Sequence, residues 1–480
     1  MNPRKSTKVL VMTIRFGTSG WRAVIADEFT FANVRRVTHA ICGHLQTTRV
    51  AEQNSIIVGY DTRFLGERFA EECIKIVTEC GFRALLCDHP TPTPTISHAI
   101  RNCRAAGAIN FTASHNPPEY NGMKFSTADG APALPEATRH VEELISKQSD
   151  DKVSGMTANE SRGEVELYDP RPPYVADLEA KVRFDIIAKA GGRYAYDPLW
   201  GTGRGYLDDT LRAHGVEVET IHDWRDVMFG GRSPEPGEDH LDELREQVRK
   251  RGCALGLATD GDADRFGVLD ADGTFISPNN LIPLLFDYLA ESRGWTGGAA
   301  RSVATSHLVD RVAEARGLPL YETPVGFKFI GELINQDKII LGGEESAGLS
   351  IRGHYPEKDG IIACLLAAEA VAARGVSLTE QLEALYARVG RLEGGRIGVR
   401  LTPDIAASLP ERLKREPENI GGRRVERTNR TDGVKFIFAD GSWLLMRPSG
   451  TEPMVRIYAE SESKTDLEVL LEQGRKYLLD

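Results

Sequence analysis

Apolar residues along the 480-residue chain recur at two spacings. Short apolar runs at 8–16, 55–61, 84–88 and 105–111 read as buried strands. Between them apolar positions return every three or four residues, as at Val34, Val37, Ile41 and Leu45 and again over 67–79, which predicts helices. The run of Pro and Thr at 90–94 reads as a turn. After a polar, weakly patterned stretch at 146–164 the alternation resumes. It gives strands over 193–197, 216–221 and 254–259, with helices over 205–214, near 281–289 and over 308–316. A strand over 338–341 and an Ala-rich helix over 359–374 follow. From about residue 391 the pattern changes to strands at 396–401, 433–439 and 454–459, closed by a helix over 466–479. Strands alternating with helices indicate α/β layers, and the tail reads as a smaller α+β domain. The expected division is 1–160, 161–252, 253–378 and 379–480.

Composition narrows the function classes. Hydrophobic content of 41% and charged content of 27% are those of a globular chain. The net charge is −11 with no long basic block, which argues against a nucleic-acid surface. No apolar run approaches ~20 residues, so no membrane span is expected. The apolar stretch 9–12 is too short for a signal peptide, and a cytoplasmic protein is expected. Seven cysteines, an odd number without a CxxC pair, suggest reduced thiols rather than disulfides or a zinc site. The glycine-rich stretch Gly201-Thr202-Gly203-Arg204-Gly205 lacks the third glycine of a dinucleotide fingerprint, because Tyr206 stands there, and a tight turn is the simpler reading.

Several stretches carry candidate chemistry. Thr112-Ala113-Ser114-His115-Asn116-Pro117 ends an apolar run and presents a hydroxyl beside a proton acceptor, which suits a nucleophile or a phosphate carrier. Asp260, Asp262 and Asp264 alternate in a loop between two strand-like runs, and hard oxygen ligands at that density suit Mg²⁺ or Ca²⁺. The EF-hand pattern fails there, because Arg265 and Ala271 stand where Gly and Glu are required. Arg447-Pro448-Ser449-Gly450-Thr451 combines an arginine, two hydroxyls and a glycine as an anion cradle, with Arg456 nearby. Gly343-Glu344-Glu345-Ser346 at a strand end suits hydrogen bonding to a polyol or a helix N-terminus. His354 and Lys358 are candidate proton-transfer groups. Together the motifs fit an interdomain cleft that handles a phosphorylated sugar.

With Phe16-Gly17-Thr18-Ser19-Gly20-Trp21-Arg22, these motifs in this order resemble the α-D-phosphohexomutase family over nearly the whole chain. The resemblance implies three α/β domains of one topology with mixed sheets and a smaller C-terminal domain, all around a central cleft. It implies a phosphorylated Ser114 and Mg²⁺ held by Asp260, Asp262, Asp264 and the Ser114 phosphate. Arg22, Lys124 and Arg265 would line the transfer side. Arg447, Ser449, Gly450, Thr451 and Arg456 would grip the non-reacting phosphate. Glu344, Ser346 and Gly326 would contact the sugar.

The implied activity is interconversion of hexose 1-phosphate and hexose 6-phosphate through a hexose 1,6-bisphosphate, which also serves as activator. Lys358 is the expected general base, assisted by His115 and Lys124. The Gly-Glu-Glu-Ser form favours glucose phosphate, with a mannose-phosphate or dual-specificity enzyme as the alternative. A Mg²⁺-dependent sugar phosphatase and a non-catalytic bisphosphate-binding protein are the remaining readings. The expected partner is a phosphosugar, and the expected assembly is a monomer or homodimer.

Overall fold

A computed structural model describes residues 14–148, 163–449 and 454–479. The strand expected over 8–16 falls mostly outside these, and 14–16 are not strand. The first unit carries β1 (Trp21–Val24), β2 (Ser55–Tyr60), β3 (Arg83–Cys87), β4 (Gly107–Phe111), β5 (Tyr120–Thr127) and β6 (Val165–Tyr168). They form one sheet in the order β1-β5-β4-β2-β3-β6. β2 pairs in parallel with β3 and β4, while β4 and β5 are antiparallel. Every residue of β4 is buried, as a central strand requires.

The second unit repeats the centre of this arrangement with β7 (Arg193–Asp197), β8 (Glu217–Thr220), β9 (Leu255–Thr259) and β10 (Phe266–Asp270). The third does so with β11 (Gly298–Ser302), β12 (Leu320–Thr323), β13 (Ile339–Glu344) and β14 (Gly348–Ile351). In each, a strand pairs in parallel with two neighbours, and the second neighbour pairs antiparallel with the edge strand. The fourth unit is an antiparallel sheet of β15 (Glu393–Arg400), β16 (Asn419–Ile420), β17 (Arg423–Asn429), β18 (Val434–Phe438), β19 (Trp443–Pro448) and β20 (Met454–Ser461), covered by helix Lys464–Leu479.

Three expectations need correction. The proline run at 90–94 is a turn only to Pro92, and helix Thr93–Asn102 starts there, with Pro94 in its first turn where the N–H has no helical partner anyway. The boundary at 252/253 cuts through the second sheet, because β9 pairs with β7 across it. The boundary at 378/379 falls inside helix Leu378–Val389. Ser377 and Glu380 cap that helix reciprocally, and Leu378, Leu382 and Leu385 bury it in the core shared by the second and third units. Helix Gly360–Arg374 is the apolar centre of that core. Among the described residues no single helix is long and apolar enough to cross a membrane. All seven cysteines are free thiols.

Candidate active site

The repeated motif places chemistry at one equivalent position in each α/β unit. β4 turns into β5, β9 into β10, and β13 into β14, and these three connections hold Ser114 and His115, the three aspartates with Arg265, and Ser346. Each turn holds a non-glycine residue in the left-handed region: Ser114 at φ 52°, Ala263 at φ 57° and Ala347 at φ 69°. That conformation costs ~1–2 kcal/mol per residue, so surrounding contacts must hold the turns in shape.

For Ser114 those contacts are explicit. Its N–H donates to Thr112 Oγ1 at 2.8 Å, and its carbonyl accepts from Arg63 Nη2 at 2.6 Å. Its hydroxyl donates to Asp260 Oδ2 at 2.7 Å and lies 3.2 Å from His115 Nδ1. The second turn approaches closely because residue 261 is glycine: a Cβ there would lie 2.7 Å from the Ser114 carbonyl oxygen.

The three aspartates converge as a buried cluster, with carboxylate oxygens within 4.8 Å of one another. Burial, with Asp264 and Asp262 alongside, pushes the Asp260 carboxyl well above the usual range. Burial also works against the charge on Asp262 and Asp264, but Lys124 at 2.6 Å from both, and Lys358 at 2.9 Å from Asp264, hold them below it. The Thr93 hydroxyl also donates to Asp262. One oxygen each of Asp262 and Asp264 is buried without a hydrogen-bond partner. Two orphaned carboxylate oxygens beside an acid whose charge is disfavoured are what a hard divalent cation would satisfy, so the residues fit Mg²⁺.

In the third turn Glu344 accepts the Gly326 N–H at 2.7 Å, and burial beside Glu345 pushes its carboxyl up to about 7. Glu345, also on the cleft wall, accepts from the hydroxyls of Ser302 at 3.0 Å and Thr305 at 3.1 Å, which anchors the loop to the end of β11. The turns open on one cleft of about 840 Å³. It is lined by Arg22, Ser114 and His115 from the first unit, Asp264 and Arg265 from the second, Gly326, Glu344, Ser346 and Lys358 from the third, and Arg447 and Arg456 from the fourth. That size accommodates a phosphorylated sugar.

The four phosphoglucomutase/phosphomannomutase domain models match this chain in order: domain I at 13–152, domain II at 172–273, domain III at 277–389 and the C-terminal domain at 398–475. The chain belongs to the phosphoglucomutase/phosphomannomutase family. Membership makes it an enzyme of the phosphohexomutase type. It is 31% identical over 472 residues to a phosphoglucomutase/phosphomannomutase of Thermococcus kodakarensis, covering 96% of this chain and 98% of that protein. It is also 31% identical over 473 residues to a protein of Methanothermobacter thermautotrophicus named as a probable phosphoglucosamine mutase, covering 96% of this chain and 97% of that one. The crystal structure of a Thermus thermophilus protein assigned as a phosphomannomutase superposes with a TM-score of 0.84 at 34% identity, covering 98% and 100% of the two chains.

Within the cleft the sequence-derived residues separate. Ser114, the three aspartates, Lys124, Lys358, Arg22 and Arg265 come together at one end of the cleft. Arg447 and Arg456 face each other across β19 and β20 at another part of it. The Ser449 N–H closes the same hairpin on the Met454 carbonyl at 2.9 Å. Gly450 and Thr451 lie outside the described residues. His354 does not join the cleft; it is buried, with Nε2 2.8 Å from Asp359, the acid that caps helix Gly360–Arg374. Lys358, the expected base, stands as a cation: burial opposes its charge, but Asp264 and Glu357 outweigh it and hold the pKa above the usual lysine range. His115 is the reverse case, held well below the usual histidine range by burial with Arg265 and Arg22, and therefore neutral.

Two residues escape the sequence reading. Arg63 is fully buried and donates to the carbonyls of Ser114, Asn116, Pro117 and Tyr120 at 2.6–3.1 Å, and to Asp61 at 3.2 Å. Thr93 bridges Asp262 and Asn110. Neither lies in a recognisable motif; the one available signal for Arg63 is an Asp-Thr-Arg run directly after an apolar strand.

Proposed function

We propose that the protein interconverts hexose 1-phosphate and hexose 6-phosphate, with Ser114 carrying the phosphoryl group between the two half-reactions. The observation that supports this most is the single cleft that joins a buried serine and acid cluster to a polyol-reading carboxylate and a pair of arginines. Hydrolysis alone would not call for the arginine pair. In the first half-reaction the Oγ–P bond of phospho-Ser114 breaks as the free sugar hydroxyl forms a new P–O bond. The proton of that hydroxyl passes to a base, for which we assign neutral His115, and His115, 3.2 Å from Ser114 Oγ, delivers it to the leaving serine oxygen. The sugar bisphosphate then turns in the cleft, Ser114 Oγ takes its other phosphate as the Oγ proton passes back through His115, and the departing sugar oxygen receives that proton.

Lys124, Lys358, Arg22 and Arg265 offset charge on the transferring group, and fixed positioning does much of the remainder. Asp260, Asp262 and Asp264 would hold Mg²⁺, which supplies charge neutralisation at the phosphoryl oxygens. Arg447 and Arg456 would hold the phosphate that is not reacting, and Glu344 and Ser346 the sugar hydroxyls.

Glucose phosphate is the substrate we infer. A second reading, glucosamine phosphate, draws on a side cavity of about 340 Å³ next to the sugar loop. Its lining includes Glu235, Glu238, Asp239 and Glu345 with His240, Arg265 and Arg396, so carboxylates of the kind that pair with an amino sugar's ammonium border the sugar loop. The test is kcat/KM for the 1-phosphates of glucose, mannose and glucosamine, each with Mg²⁺ and trace bisphosphate. A preference of at least ~10-fold for glucose supports the first reading, and the reverse preference for glucosamine replaces it.

A further inference from the structure

The arginine hairpin and the sugar-reading turn belong to different units, yet one carboxylate oxygen joins them. Asp432 Oδ2 accepts from Arg447 Nε at 2.8 Å and from the backbone N–H of Val325 at 3.1 Å. The next N–H along, that of Gly326, donates to Glu344 Oε1 at 2.7 Å. The path from the arginine to the sugar-reading acid is therefore guanidinium, Asp432, two consecutive peptide groups, Glu344.

The placement of Asp432 is built in. It sits in the turn between β17 and β18, and its neighbour Gly433, at φ 85°, lets that turn lie directly on β19. A Cβ at 433 would stand 2.5 Å from the Met446 carbonyl and 3.1 Å from the Arg447 Cα. On either side, Asn429 bonds Glu322 and Lys435 donates to the Val303 carbonyl at 2.8 Å, so this edge of the fourth unit is docked along the third. Arg447 and Arg456 are a directly opposed cross-strand pair, an arrangement that like charges disfavour without an anion beside them.

We propose that Asp432 is a positioning residue that couples the phosphate grip of Arg447 to the sugar-reading wall at Gly326 and Glu344. The inference rests on the proposed function for the roles of Arg447 and Glu344. Loss of Asp432 leaves Arg447 without its anchor and Val325–Gly326 without its stop, so both contacts to the ligand loosen together.

The test is steady-state kinetics of the full-length enzyme with glucose 1-phosphate, Mg²⁺ and trace glucose 1,6-bisphosphate. Asp432→Ala is expected to raise KM ~10-fold while kcat changes less than ~3-fold, the size of one lost hydrogen bond to a charged group. Asp432→Asn keeps an oxygen acceptor and should recover KM to within ~3-fold of wild type. In a double-mutant cycle with Glu344→Gln, a residue Asp432 does not touch, the combined KM effect should fall short of the product of the single effects by at least ~3-fold. Single effects that simply multiply, or an unchanged KM in Asp432→Ala, overturn the coupling. Should alanine unfold the chain, Asp432→Ser, a turn-compatible residue too short to bridge, repeats the cycle with the same criteria. Arg447→Ala is the control: a rise in KM there with no coupling at Asp432 sinks this inference alone, whereas an unchanged KM sinks both it and the phosphate-grip reading.

Discussion

The two ends of the cleft are built differently. Around Ser114 nearly every group is buried: the serine is 1% exposed, the aspartates 0–1%, and Lys124 and Lys358 6% each. Each of these side chains has a fixed charged or hydrogen-bonding partner, and Arg63 ties down the loop from beneath by four carbonyls. The arginine end rests on two inner strands of an antiparallel sheet, and its ion pair of Arg447 with Asp432 keeps 16% and 24% side-chain exposure. In the proposed cycle the difference has a physical reason. The transfer end performs the same chemistry in both half-reactions and gains from rigidity. The grip end must release one phosphate and accept the other as the sugar turns, so tight fixation there would slow the exchange.

That contrast can be broken from either end. Removing Mg²⁺ with a chelator strikes the transfer end hardest and should cut turnover ~10³-fold, the scale of losing a metal that stabilises phosphoryl charge. Independently of activity, added Mg²⁺ should raise the thermal midpoint of the wild type but not of Asp264→Asn. Arg63→Met should destabilise the protein by ~3–5 kcal/mol in urea unfolding, because Asp61 is left as an uncompensated buried acid. Adding Asp61→Asn should return part of that loss. A variant at Arg63 as stable as wild type would show that the transfer end is not held from beneath.

The turn that carries Glu344 opens on the same cleft and should give a smaller effect. Glu344 has a folded pKa of about 7, against ~4.3 when unfolded. The folded state therefore binds the extra proton between these values, and stability falls as pH rises through that window. The fall is of order 3 kcal/mol and is complete above about pH 7. Glu344→Gln should remove this slope, read from urea midpoints at several pH values; an unchanged slope would place the titration elsewhere. The smallest effect is expected at the grip end, where Arg456→Ala should raise KM ~10-fold with little change in the thermal midpoint.

Much of this was legible in the chain. Periodicity located most strands and helices, since their cores alternate or repeat every three or four residues, and motif order led to the family. Long-range pairing was not legible: the addition of β9 and β10 to the second sheet depends on β7, some sixty residues earlier, and no local pattern carries that. The likeness of the three chemical turns was hidden for the same reason, because Ser114, Ala263 and Ala347 share a backbone conformation and not a side chain. Residue type is also silent where environment decides. Lys358 has the chemistry of a base, yet Asp264 and Glu357 raise its pKa against the effect of burial. Glu345 lines the cleft beside Glu344, yet its carboxylate also accepts from two hydroxyls of the third unit.

The central claim is that Ser114 stores the phosphoryl group, and intact mass spectrometry tests it most directly. Wild-type protein incubated with glucose 1,6-bisphosphate and Mg²⁺ should gain the mass of one phosphoryl group, mapped to Ser114 and lost on exposure to excess glucose 1-phosphate as turnover proceeds. Ser114→Ala should gain nothing and turn over nothing. Isomerisation that continues in Ser114→Ala, or a phosphoryl group that maps to another residue, would contradict the account.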